Sequence, residues 1–256
     1  MTKKKIGIVL VATNSYFILA VRFIKRFTYF YKGDAHITFF VFSDLDPTPY
    51  LSENIHIVHF HTRHRNWREA TNSKFTNILN LKDHIGDISH LTYFDADTNI
   101  FSDFTEDWFI GDLVGGEHYA NRHAMKDRKN YDRNSRSKAY IPINTPKEQM
   151  YYYGAFFGGN TKNMMYFCKI LRQWQLADKR INYEPGVNDE SYINKYFHVN
   201  PPSKVVLNEQ WPFRISDKGG LAGTRDPHLD VEKQRKLLYE NKNKLIDIKG
   251  GEVIIC

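Results

Sequence analysis

An α/β fold, a sheet with helices on its faces, is the architecture this sequence predicts. Two observations carry that reading. Strand-like apolar runs alternate with helically spaced ones through the first hundred residues, in the order β-α-β-β-α-β. One of those runs, Leu91-Thr-Tyr-Phe, ends in Asp95-Ala-Asp97. Open α/β sheets bind their ligands at the carboxyl ends of strands, where this pair falls.

Each element has its own signal. Ile6–Ala12 is a short apolar run and reads as the first strand, although Met-Thr-Lys-Lys-Lys before it resembles the basic start of a signal peptide. Across Ser15–Phe30, Phe17, Ile18, Val21, Ile24 and Phe27 recur at helical spacing. His36–Phe42 and Ile55–Phe60 read as strands, the first ended by Ser-Asp-Leu-Asp-Pro. His61–Thr71 is polar and rich in Arg and His, which predicts a loop, and Ser73–Asp83 a helix. Asp112–His118 reads as a strand. The aromatic run Met150–Gly159 leads into Asn160-Thr161, a cap for a helix through Leu176. Asp189–Phe197 reads as a short helix and Val205–Leu207 as a strand. From Asp226 on, Val231, Leu237, Leu238 and Leu245 fit a charged surface helix, read as a basic tail over about 226–256.

Composition bounds the rest. With 256 residues, 41% of them hydrophobic and 25% charged, the chain reads as one globular domain over residues 1–256. No run approaches the ~20 apolar residues of a membrane span. Only Cys168 and Cys256 are present, so neither a disulfide framework nor a zinc spacing exists. A reducing, cytoplasmic setting is the expectation, with Cys168 as core. The formal charge is +7, and Asn121–Lys138 alone holds seven basic and two acidic residues. That stretch is either a solvated loop or a patch for phosphate or nucleic acid. Eleven histidines invite a zinc reading, but His61 and His64 lack a third ligand at a recognisable spacing.

The chemistry centres on Asp95 and Asp97. On an extended backbone, residues i and i+2 face one side, so the two carboxylates are expected together. Two hard oxygen ligands suit Mn²⁺ or Mg²⁺ that also holds a diphosphate. A strand ending in Asp-x-Asp also opens the haloacid-dehalogenase-like phosphatases. Here Asn99 stands at the fifth position of that pattern, and the motif lies far from the N-terminus.

Three stretches in this order resemble glycosyltransferase family 6: Leu91–Ile100, Ala139-Tyr-Ile-Pro142 leading into Met150–Gly159, and Asn188-Asp-Glu-Ser-Tyr-Ile-Asn-Lys-Tyr196. That family holds the histo-blood-group A and B transferases and the α-1,3-galactosyltransferase, with shorter bacterial and phage relatives. The resemblance covers roughly residues 5–215. It implies a GT-A fold, a single Rossmann-like domain with a mixed sheet, and retaining transfer of Gal or GalNAc from a UDP-sugar to a glycan acceptor in α-1,3 linkage. It implies Asp95 and Asp97 as metal ligands and Glu190 as the catalytic carboxylate. Ala12 and Tyr16 match nucleotide-pocket positions, and Asp189 matches a residue that bonds the donor sugar. Lys74 stands where animal members carry a donor-binding Arg, keeping the charge but losing the planar fork. Tyr153-Gly154-Ala155 falls where Met-Gly-Ala accompanies Gal and Leu-Gly-Gly accompanies GalNAc, so UDP-Gal is the expected donor.

The departures fall on the acceptor side. Val187-Asn188 replaces the usual Trp-His, His118 is followed by Tyr-Ala-Asn-Arg, and Asn130 replaces a Thr. His118, Asn130 and Asn188 are therefore the acceptor-side candidates. The basic segment with His61, Arg63, His64, Arg65, Arg68 and Lys74 lies where relatives close over the donor, as a lid that excludes water. The competing readings are a haloacid-dehalogenase-like phosphatase and a non-enzymatic sugar- or nucleic-acid-binding module.

Overall fold

The computed structural model describes residues 3–121, 129–146, 149–207, 213–214, 231–249 and 252–256. The chain opens with β1 (Lys5–Val11), α1 (Tyr16–Phe30), β2 (His36–Ser43) and β3 (His56–His61). It continues through α2 (Trp67–Asn80), β4 (His90–Asp95), β5 (Asn99–Ile100), β6 (Leu113–Glu117) and β7 (Tyr152–Asn160). Then follow α3 (Thr161–Arg180), α4 (Asn188–Val199), β8 (Lys204–Val206) and β9 (Phe213–Arg214). Last come α5 (Val231–Glu240), β10 (Ile246–Lys249) and β11 (Glu252–Ile255).

Seven strands form one sheet in the order β3-β2-β1-β4-β7-β6-β8. β1 runs parallel to β2, and β2 to β3, whereas β6 is antiparallel to β7 and parallel to β8. The sheet is therefore mixed, and the fold is the α/β, GT-A-like architecture expected. β10 and β11 pair separately as a hairpin, as do the short β5 and β9.

The chain divides into two compact units. The first comprises Met1–Arg65, Tyr93–Trp108 and Pro212–Cys256. Its centre is β1, buried continuously from Ile6 to Val11, as a strand covered on both faces must be. Phe23 and Phe27 on α1 meet Phe94, Phe39 and Phe104 with ring centroids 5.1, 5.2 and 4.9 Å apart. The second unit comprises Asn66–Thr92 and Phe109–Trp211. Phe167 on α3 stacks on Phe197 at 5.2 Å and packs on Phe157 at 5.6 Å. Cys168 is buried in this unit as a free thiol, the core role expected of it. Gly159, at φ +155°, lets β7 reach β6: a Cβ there would lie 2.3 Å from the Asp112 carbonyl oxygen.

Two readings need correction. Part of the Arg- and His-rich stretch is helix, because α2 begins at Trp67 with Asn66 as its cap, its side chain accepting the Glu69 N–H at 2.9 Å. Arg68 therefore stands on the same helix as Lys74, which the sequence already placed on one. The C-terminal segment is not one helix, since the chain leaves α5 at Glu240 and returns as β10 and β11. Nor is it basic: residues 226–256 hold six Lys and Arg against six Asp and Glu. Residues 122–128 of the basic stretch lie outside the described residues. No described helix is long and apolar enough to cross a membrane.

Candidate active site

In the first unit, loops at the carboxyl ends of β1, β2 and β3 are tied together. Asn14 takes a left-handed φ of +59°. Its backbone N–H donates to Asp44 Oδ1 at 2.8 Å, and its side-chain amide donates to the His64 carbonyl at 3.1 Å. Thr13 Oγ1 lies 3.3 Å from His64 Nδ1. This lacing fixes the turn between Ala12, which is fully buried, and Tyr16, half-buried at the first position of α1.

The Asp-x-Asp pair is placed by a turn rather than by the pleat. β4 ends at Asp95, and Thr98 N–H donates back to the Asp95 carbonyl at 3.0 Å. Asp97 sits inside that turn, so the period-two rule does not govern its direction. Buried Arg22 clamps the turn, donating from Nη2 to the Asp97 carbonyl at 3.0 Å and the Thr98 carbonyl at 3.3 Å. Burial lowers the Arg22 pKa to about 10. Tyr93 donates its phenol proton to Asp95 Oδ1 at 2.7 Å. Both aspartates are half-buried. Among the described residues, no group of three His, Cys, Asp or Glu side chains gathers as a ligand set. Two hard carboxylates on one short turn fit a divalent ion that completes its shell with phosphate oxygens and water.

In the second unit, Glu190 lies in the first turn of α4. Its Oε1 accepts the Tyr151 phenol proton at 2.9 Å and its Oε2 accepts the Gly154 N–H at 2.8 Å. Burial raises its pKa to about 7, against the pull of those two hydrogen bonds, with Asp189 adding to the rise and Lys74 opposing it. Asp189 and Lys74 form a buried ion pair at 2.8 Å, each side chain no more than 5% exposed. Lys74 Nζ also donates to the Gly154 carbonyl at 3.2 Å. Gly154 is a close approach: a Cβ there would stand 3.1 Å from both Asp189 Oδ2 and Glu190 Cβ. The structure thus gathers Lys74, Gly154, Asp189 and Glu190 into one cluster.

Beside it, buried His118 packs on Tyr153, ring centroids 4.1 Å apart, and on Tyr151 at 5.1 Å. His118 Nδ1 accepts the Ala120 N–H at 2.9 Å, so the neutral ring carries its proton on Nε2 as a donor. Burial lowers its pKa to about 3. Asn188 is buried at φ +45°, and its Oδ1 has no hydrogen-bond partner among the described residues. Ala155 is buried, and Asn130 is exposed.

A family model described as Glycosyltransferase family 6 matches residues 1–221. This chain belongs to glycosyltransferase family 6. The chicken globoside alpha-1,3-N-acetylgalactosaminyltransferase 1 is 28% identical over 80% of this chain and 60% of its own length. The O-antigen biosynthesis glycosyltransferase WbnI of Escherichia coli is 24% identical over 80% of this chain and 85% of its own. The rat histo-blood group ABO system transferase 1 is 24% identical over 80% and 60%. The match thus spans about three fifths of the two animal relatives. Membership leaves the phosphatase and binding-module readings without support.

Within this family 6 chain, two side chains that brace the cluster carried no sequence signal. Asn121 bonds the backbone of Tyr151 twice, accepting its N–H at 2.8 Å and donating to its carbonyl at 2.7 Å. Asn194 does the same for Tyr152, at 2.8 and 2.9 Å. Each amide imitates a neighbouring strand where β7 begins. Asn194 also donates to the Glu190 carbonyl one helical turn back, at 2.9 Å. That i, i+4 spacing is the one hint available from sequence.

Proposed function

We propose that this chain transfers galactose, with retention, from UDP-galactose to a hydroxyl of a glycan acceptor, forming an α-1,3 linkage. The arrangement of Glu190 carries the reading. A carboxylate in retaining transfer must hold one orientation toward the anomeric carbon. Glu190 is bonded through both oxygens to Tyr151 and Gly154, beside the Lys74–Asp189 pair. Lys74 holds Asp189 in place, leaving that carboxylate to accept a hydroxyl proton of the donor sugar. Ala12 and Tyr16 serve the uridine. Asp95 and Asp97 would hold Mn²⁺ or Mg²⁺, which when bound neutralises charge on the leaving diphosphate.

Donor choice rests on volume. Ala155 is buried and follows Gly154, where a methyl would crowd Asp189 and Glu190 at 3.1 Å. A 2-acetamido group near these positions would overpack, at a cost of about 1–3 kcal/mol. Galactose is therefore favoured over N-acetylgalactosamine. His118, Asn130 and Asn188 serve the acceptor side, with His118 offering its Nε2–H.

The test is release of UDP from UDP-Gal, UDP-GalNAc and UDP-Glc over a panel of galactoside acceptors, with and without Mn²⁺. The expected result is acceptor-dependent release, fastest from UDP-Gal with Mn²⁺. Acceptor-independent phosphate release, or no turnover of any UDP-hexose, would refute it.

A further inference from the structure

We propose that Tyr151 is a positioning residue for this reaction: its buried phenol orients Glu190 and favours its anionic form. The inference rests on the role proposed for Glu190 above. Tyr151 is 1% exposed and donates to Glu190 Oε1 at 2.9 Å. Asn121 holds the Tyr151 backbone through two hydrogen bonds. The ring is wedged edge-on by Tyr131 at 5.2 Å and His118 at 5.1 Å. None of these supports is a hydrogen bond to the hydroxyl. The ring is thus anchored independently of the bond it makes to Glu190.

The charged and titratable groups around Glu190 act in opposite directions. Asp189, its neighbour on α4, disfavours the anion. Lys74 on α2 favours it, but that ammonium is shared with Asp189 at 2.8 Å. Tyr131 lies behind Tyr151 and is held neutral by burial, which raises its pKa to about 12. Two hydrogen bonds remain to offset burial, from Gly154 N–H and from the phenol. Burial and the Glu190 charge push the Tyr151 pKa far up, so the phenol stays a donor across the working range. Hydrogen bonds to the ionised form lower a carboxyl pKa. Removing the phenol must therefore raise that of Glu190.

The decisive variant is Tyr151→Phe in the full chain, which keeps the ring and the backbone clamp. We expect the acid limb of kcat/KM to move up by about one pH unit, the share of one charge-assisted hydrogen bond. Near pH 7, kcat should fall about fivefold and recover to within about twofold of wild type above pH 9. The KM for the UDP-hexose should stay within about twofold. Difference infrared titration against Glu190→Gln follows the Glu190 carboxyl directly and needs no turnover. It should show the same upward move. Tyr151→3-fluorotyrosine, a more acidic donor in the same ring, should move the limb down. An unmoved limb and carboxyl titration in both variants would overturn the proposal, as would a loss that does not recover at high pH. Glu190→Gln measured alongside separates the two ideas. If it abolishes turnover while Tyr151→Phe leaves the limb in place, only the Tyr151 role falls. If it retains turnover, the role of Glu190 falls first.

Discussion

Replacing Glu190 with Gln isolates the cost of burying a carboxylate beside Asp189. The folded-state pKa of Glu190 is raised from 4.5 to about 7 by burial. At 1.36 kcal/mol per pH unit, that is about 3 kcal/mol against the folded anion. Glu190 is half-buried, so solvent screening reduces the figure to roughly 1–3 kcal/mol. A raised carboxyl pKa means that the folded chain binds more protons than the unfolded chain between pH 4.5 and 7. This contribution is fully favourable below pH 4.5, declines through that window, and stays lost above pH 7. The glutamine variant has no such dependence. Its amide oxygen can still accept the Gly154 N–H, and any cost from the other clamp bond is the same at every pH. The difference in Tm, variant minus wild type, should therefore rise from pH 4.5 to pH 8 by about 2–10 °C for a chain of this size. The assay is thermal unfolding of both proteins without donor, in buffers across that range. A difference that is flat or falls with pH would refute the reasoning.

Three further outcomes follow from the same geometry. Lys74→Met leaves Asp189 as a buried charge and should destabilise by about 3–5 kcal/mol in urea unfolding, while Lys74→Met with Asp189→Asn recovers much of it; losses that simply add would contradict the pairing. Ala155→Gly removes the methyl that opposes a 2-acetamido group and should raise kcat/KM for UDP-GalNAc relative to UDP-Gal by about 5- to 100-fold, with an unchanged ratio counting against the volume argument. Asp97→Asn should weaken UDP binding in Mn²⁺ by calorimetry and reduce turnover at least tenfold, and full wild-type activity in EDTA would remove the metal from the account.

The parts of the fold legible in sequence are those with one dominant apolar period. α1 shows Phe17, Ile18, Val21, Ile24 and Phe27 at helical spacing, and all five are buried. β1 is buried on both faces and reads as a continuous apolar run. The start of α2 was hidden because its first turns are polar, so periodicity gives no signal there. The cue is local instead, in the Asn66-x-x-Glu69 spacing of a capped helix. The C-terminal hairpin was hidden by the helical reading carried past Glu240, although the alternating Ile246 and Ile248 followed by a Gly-Gly pair are a hairpin signal in the sequence. For the candidate site, Asp95 and Asp97 stand out by themselves, while Glu190 is singled out only through the family resemblance. Its partners come from far along the chain, Tyr151 at 39 residues and Gly154 at 36. No local pattern encodes such a meeting. The same holds for Lys74 and Asp189, which read as separate donor contacts and turn out to be paired.

The most direct test of the central claim is the anomeric configuration of the product, read by NMR from the coupling constant of the new linkage. UDP-α-galactose is incubated with the wild-type chain, Mn²⁺ and a galactoside acceptor, with Glu190→Gln in parallel. The account predicts an α-linked galactose from wild type, and turnover reduced by about 10²–10⁴ in the variant. A β-linked product, or an α-linked product formed at the same rate without the Glu190 carboxylate, would contradict it.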